Sequence, residues 1–220
     1  GMLEAGLTRY LFETQRDDPW GTLRVKEVDQ ASFPRCGEPP SSEPRGEWAQ
    51  KGSSGSKSQP ANHTVIEMMI LYTADMAGNH SGDPAALANT LEASVTAAMS
   101  ASSVTGSAKI VAYKPTTFSE ASPFATNDFI SAREDMKAES APFTAIESDQ
   151  DDFRADVVVL LVDGDDVGDD PPFNFAACGL ADTVSSSDNE RAYAVVQDRC
   201  AAGDLTFVHE VTHLLGGRHD

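Results

Sequence analysis

Residues 155–163, ADVVVLLVD, are the strongest strand candidate in the chain, and their reading decides the fold class. The stretch HTVIEMMILYT (63–73) has a similar texture, a nearly continuous apolar run. A strand with one wet face alternates polar and apolar residues, so a run without alternation predicts a strand buried on both faces of its sheet. Between the two runs, GDPAALANTLEASVTAAMSAS (82–102) predicts a helix, with Asp83 as its cap and Pro84 at the first helical position. Leu87, Leu91, Val95 and Met99 then share one face. AKIVAYK (108–114) and AYAVVQD (192–198) read as further strands, and DFISAREDMKAE (128–139) as a helix. The order strand, helix, strand, helix, strand, strand, helix predicts an α/β layer with a mainly parallel sheet.

Upstream the texture changes. Within residues 1–35 the short strand candidate is GTLRVKEV (21–28), where Leu23, Val25 and Val28 fit a half-buried strand loosely. Residues 37–62, GEPPSSEPRGEWAQKGSSGSKSQPAN, are rich in Gly, Pro, Ser and Lys and hold little to bury except Trp48, so they read as a linker open to proteolysis. A chain of 220 residues has room for one main domain. Its formal charge of -19 excludes a phosphate-tracking surface, because nucleic acid and anionic lipid are both repelled. No window approaches the ~18 apolar residues of a membrane span. The start, GMLEAGLTRYLFETQRDD, lacks the basic and apolar regions of a signal peptide. Its leading Gly-Met reads as a cloning remnant, with any export signal lost upstream.

The chain closes on TFVHEVTHLLGGRHD (206–220). Four residues of helix turn through about 400°, so His209 and His213 leave one face one turn apart, the arrangement that suits two imidazoles on one zinc ion. Glu210 stands beside the first ligand, where its carboxylate reaches a metal-activated water without binding the metal. Gly216 is suited to the left-handed conformation that ends a helix and turns the chain so that His219 supplies a third ligand. Gly203 and Asp204 supply a start for this helix. The alternative is an ordinary amphipathic helix with incidental histidines. Five specified positions meeting by chance have odds on the order of one in ten million per start site.

At these residues the sequence resembles the metzincin zinc endopeptidases of the reprolysin-like group, whose signature HExxHxxGxxHD is matched by HEVTHLLGGRHD. The resemblance extends through VIEMMILYTADMAG, ADVVVLLVDG and CGLADT…YAVVQDRCA to bacterial reprolysin-like enzymes, including peptidyl-Asp metallopeptidases. It implies the N-terminal metzincin (zincin-like) subdomain: a twisted, mostly parallel sheet with an antiparallel edge strand, and a zinc-binding helix below it. It further implies that His209, His213 and His219 bind zinc and that Glu210 is the general base. Metzincins place a methionine-containing turn after the third histidine, and here no methionine follows Met136, so the C-terminal subdomain is expected to be absent. The expected organisation is a propeptide remnant over 1–40, a flexible linker over 41–62, and a metzincin catalytic domain over 63–220, truncated after the third ligand.

Three cysteines allow at most one internal disulfide. Cys178 and Cys200 flank the strand before the closing helix and suit a disulfide in a secreted protein; two reduced, buried thiols are the alternative. Cys36 lies in PRCGEPP, which resembles the cysteine-switch segment of latent matrix metalloproteinases, where a propeptide thiolate caps the zinc. An unpaired solvent-facing thiol is the alternative. The acidic stretch DGDDVGDD admits calcium as a second cofactor, but it lacks the ligand pattern of an EF-hand and reads first as a solvated loop. The expected function is a secreted, monomeric bacterial endopeptidase precursor acting on polypeptides through zinc and Glu210. The rivals are a non-catalytic zinc-binding module and another zinc hydrolase built on the same helix.

Overall fold

The structure is a computed structural model that describes residues 2–5, 8–14, 23–28, 64–79, 85–120, 126–163, 178–182, 193–203 and 205–217, with side chains described from residue 64 onward except at 126 and 127. The first three segments are strands β1 (Met2–Ala5), β2 (Thr8–Thr14) and β3 (Leu23–Val28), paired antiparallel in the order β1-β2-β3. Only the last of these was foreshadowed by sequence pattern. Asp83, Pro84, the linker and the acidic stretch 164–170 lie outside the described residues.

The second sheet is built from β4 (Thr64–Tyr72), β5 (Gly106–Pro115), β6 (Val157–Val162), β7 (Gly179–Ala181) and β8 (Tyr193–Gln197), in the order β5-β4-β6-β8-β7. β4 pairs parallel with β5 and β6, β6 pairs parallel with β8, and β7 closes the edge antiparallel to β8. This is the mostly parallel sheet with an antiparallel edge strand that the sequence implies. All six residues of β6 and all five of β8 are buried, because helices cover both faces. On one face Met68, Ile70, Val159 and Leu161 meet Leu91 and Val95 of α2 (Ala85–Ala101) and Phe207 and Val211 of α6 (Thr206–Leu214). On the other, Met69, Leu71, Val158 and Leu160 meet Phe129 and Met136 of α3 (Thr126–Lys137) and Ile146 of α4 (Ile146–Phe153). The short helices α1 (Ala74–Asn79) and α5 (Asp198–Gly203) follow β4 and β8 directly. The stripe Leu87, Leu91, Val95, Met99 is buried, with Ala88 beside it.

The first parallel strand, β4, lies between β5 and β6, so the chain reverses its direction of sheet growth there. Glu120, beyond the end of β5, ties the carboxyl ends of the two strands at that point together. Its carboxylate accepts the Thr73 hydroxyl and, through both oxygens, the Asp163 backbone N–H at 2.9 and 2.9 Å. Burial is the main reason that Glu120 is pushed up to about 7; the hydrogen bonds from Thr73 and Asp163 pull the other way, and the charges of Asp163 and Asp75 add to the rise. A carboxyl group that holds its proton more tightly in the folded state than at its usual 4.5 contributes stability that is fully present below about pH 4.5 and is lost as pH rises through about 7. Glu120→Gln is therefore expected to flatten the fall in thermal stability between pH 5 and pH 8. With solvent screening of a part-exposed carboxylate allowed for, the difference is about 1–2 kcal/mol, or a few degrees in Tm. Parallel Tm curves for the two proteins would contradict it.

Candidate metal centre

The helix that carries HEVTH begins without a side-chain cap. Its N-cap is Leu205, held at φ 65°, whose carbonyl accepts the His209 N–H at 2.9 Å. Gly203 instead ends α5 and the cap of α6 is Leu205, so the expected start at Gly203 and Asp204 gives way to one at Leu205; Asp204 itself lies outside the described residues. The other end is closed by glycine. Gly216 sits at φ 94°, its N–H reaches the His213 carbonyl at 2.9 Å, and the Gly217 N–H reaches the Thr212 carbonyl at 2.8 Å. That pair of bonds satisfies the last carbonyls of the helix and turns the chain back.

The same turn orients a histidine. The Gly217 carbonyl lies 2.9 Å from His213 Nδ1, and since a carbonyl only accepts, the proton of the neutral ring sits on Nδ1. His213 Nε2 is left as the lone-pair nitrogen, and it meets His209 Nε2 at 3.0 Å with the rings near perpendicular at 89°. Two nitrogens that each lie about 2.0–2.1 Å from a tetrahedral zinc ion are themselves about 3.3 Å apart, so the pair fits such an ion after a shift of a few tenths of an ångström. His213 is buried and His209 exposed, so the point they share lies at the protein surface.

Glu210, between them in sequence, is fully buried where α6 meets the edge strand β7. A Cβ on Gly179 would lie 2.7 Å from Glu210 Cγ, 2.7 Å from Thr206 Cγ2 and 2.8 Å from Glu210 Oε1. Only glycine permits this approach, and the glutamate is held against the backbone of β7. The strand is anchored next to that contact: Cys178 is joined to Cys200 of α5 by a disulfide with Cα atoms 5.7 Å apart, closing a loop that contributes about 3 kcal/mol by constraining the unfolded chain.

The described part of the site thus comprises His209, Glu210 and His213. The expected third ligand, His219, and the expected capping residue, Cys36, lie outside the described residues. Two contributors escaped the sequence reading. The Gly179 contact spans 31 residues of chain, and a glycine next to a cysteine is its only local signal. Gly217 acts through its carbonyl, for which a side-chain motif has no symbol.

The fold and the site together are those of an α/β domain that carries two converging imidazoles and a buried glutamate on the helix beneath its edge strand. Residues 85–220 match the family described as Metallo-peptidase family M12B Reprolysin-like, and the chain belongs to that family. Membership implies a bound metal. The peptidyl-Asp metalloendopeptidase of Stenotrophomonas maltophilia strain K279a is 32% identical over 112 residues, which are 51% of this chain and 23% of that protein. The peptidyl-Asp metalloendopeptidase of Xanthomonas campestris pv. campestris is 26% identical over 172 residues, 78% of this chain and 36% of that protein. The chain therefore spans about a quarter to a third of the length of these relatives. Metalloproteinase-II from Bacteroides fragilis aligns with a TM-score of 0.44 and 16% identity, covering 73% of this chain and 46% of that one.

Proposed function

We propose that this chain carries the zinc site of a secreted endopeptidase, with His209, His213 and His219 as ligands and Glu210 as general base. The observation that supports it most directly is the 3.0 Å approach of His209 Nε2 and His213 Nε2 in a chain of a metallopeptidase family. Zinc bound there would supply a Lewis acid that polarises a scissile carbonyl and acidifies water. Glu210 would accept a proton from the attacking water on its carboxylate and return it to the leaving amine. Its burial against Gly179 limits the carboxylate to one position during the transfer. The polypeptide substrate lies extended along the side of β7 away from β8, by main-chain pairing. The peptidyl-Asp name of the relatives makes peptide bonds next to aspartate the first substrates to try.

Residues 63–220 are assigned to the catalytic domain, 41–62 to a cleavable linker and 1–40 to a propeptide segment whose Cys36 caps the metal before processing. A disulfide between Cys178 and Cys200 accords with an oxidising, extracellular setting. Dialysis against zinc followed by elemental analysis is expected to return one equivalent per chain, falling sharply in His209→Ala. A value below ~0.2 that the substitution leaves unchanged would remove the metal assignment. Cys36 is expected to resist alkylation while zinc is bound and to react once the metal is chelated. Free reaction in the zinc-loaded protein would refute the capping role and leave the peptidase reading standing.

A further inference from the structure

The main-chain groups of β7 divide between two sides. The Gln197 N–H donates to the Cys178 carbonyl at 2.9 Å and the Asp182 N–H donates to the Tyr193 carbonyl at 3.0 Å, so Cys178, Leu180 and Asp182 use their backbone groups on β8. By the alternation of an antiparallel pair, the N–H and C=O of Gly179 and Ala181 point the other way, along the side of β7 that has no partner strand among the described residues. These two residues are the places where an added strand would find partners.

One of the two is already engaged. Arg133, on α3, packs beneath the sheet and reaches around its edge, where Nη1 donates to the Ala181 carbonyl at 3.3 Å. The guanidinium is locked in that position. Its Nε lies 3.3 Å from Asp182 Oδ1 and its Nη2 lies 2.9 Å from Glu134 Oε1, while Lys137, one turn further, approaches Asp182 Oδ1 at 3.4 Å. Arg133 and Asp182 are both about nine-tenths buried. To expose the Ala181 carbonyl, the arginine would have to leave a buried carboxylate, and breaking such a pair is costly. Gly179, by contrast, abuts Glu210 and sits two residues along the strand from the capped position.

We propose that Arg133 is a positioning residue that weakens the peptide-pairing edge at Ala181, so that a bound polypeptide pairs fully with the backbone at Gly179 and gains little from extension past it on the Ala181 side, where only the N–H is left to pair. This rests on the endopeptidase reading of the same site. The consequence is a preferred alignment: a substrate shifted two residues along β7 exchanges a full pair of main-chain bonds for one, because the Ala181 carbonyl is already engaged.

The test uses the full zinc-loaded chain carrying Glu210→Gln, so that peptides bind without being cut. Fluorescein-labelled alanine/serine peptides with a central aspartate are lengthened by two residues at one end or the other, and affinity is read by fluorescence anisotropy. With Arg133 present, extension at one end is expected to leave the Kd within about 2-fold. With Arg133→Met combined with Asp182→Asn, which avoids a stranded buried charge, the same extension should tighten binding about 3- to 10-fold, the worth of one freed hydrogen bond. Asp182→Asn alone keeps the cap and should retain the length limit, an outcome that a merely structural role for the ion pair does not require. Equal gains at both ends in every protein, or no binding by any peptide, would overturn the proposal. Casein hydrolysis by the chain with Glu210 intact is measured alongside. Length-limited binding without hydrolysis sinks the catalytic reading and leaves the cap, whereas hydrolysis with unrestricted length dependence sinks the cap alone.

Discussion

Glu210→Gln is expected to lower peptide hydrolysis by about 10²–10⁴-fold while the zinc content stays at one equivalent per chain. Glutamine keeps the volume and one acceptor oxygen of the buried side chain, so it can occupy the space against Gly179 that glutamate fills. What it cannot do is accept a proton from water and return it to an amine. The effect should fall on kcat, because in the proposed role the glutamate would act on the reacting atoms and bind neither the metal nor the extended peptide. Zinc content and kcat measured on the same preparation decide the assignment. If the variant loses its metal as well, Glu210 acts in folding or coordination, and the division of roles between it and the histidines is wrong.

Gly179→Ala is the second large effect. Its Cβ would enter within 2.7 Å of Glu210 Cγ and of Thr206 Cγ2, both on α6, so either the helix moves off β7 or the glutamate leaves its rotamer. Such overpacking costs about 1–3 kcal/mol, which for a domain of this size lowers Tm by roughly 2–10 °C. Displacement of the proposed base by about an ångström is expected to reduce kcat by about 100-fold. KM should change less, because the outward main-chain groups of residue 179 survive the substitution. An alanine variant with unchanged Tm and kcat would show that the contact between α6 and β7 yields at no cost, and that Glu210 is not held by it.

The parts of the site that were legible in the sequence are those whose geometry is local. His209 and His213 stand four residues apart on one helix, so helical pitch alone brings their nitrogens together, and Gly216 takes its left-handed conformation because the turn that closes the helix requires one. The central strands were legible for a different reason: β6 throughout and β4 over residues 68–71 are buried on both sides and carry no polar alternation there. The helix α4 was missed because seven of its eight residues face outward or partly outward and only Ile146 is buried, which leaves an acidic stretch without an apolar stripe. The helix α5 was missed because DRCAAG is too short to show a period.

By itself the sequence determined the layered α/β class, the faces of α2 and the pairing of two imidazoles on the last helix, since each follows from the repeat of a single element. Only the tertiary structure decided the order β5-β4-β6-β8-β7, the placement of the three-residue strand β7 at the edge, and the company that Glu210 keeps. Strand order depends on which crossovers bury the most apolar surface, a property of the whole chain and of no single segment. Arg133 reaches Ala181 across 48 residues, and Glu120 reaches Thr73 across 47. Contacts of that span leave no period in the sequence, because the two partners become neighbours only after the sheet between them has formed.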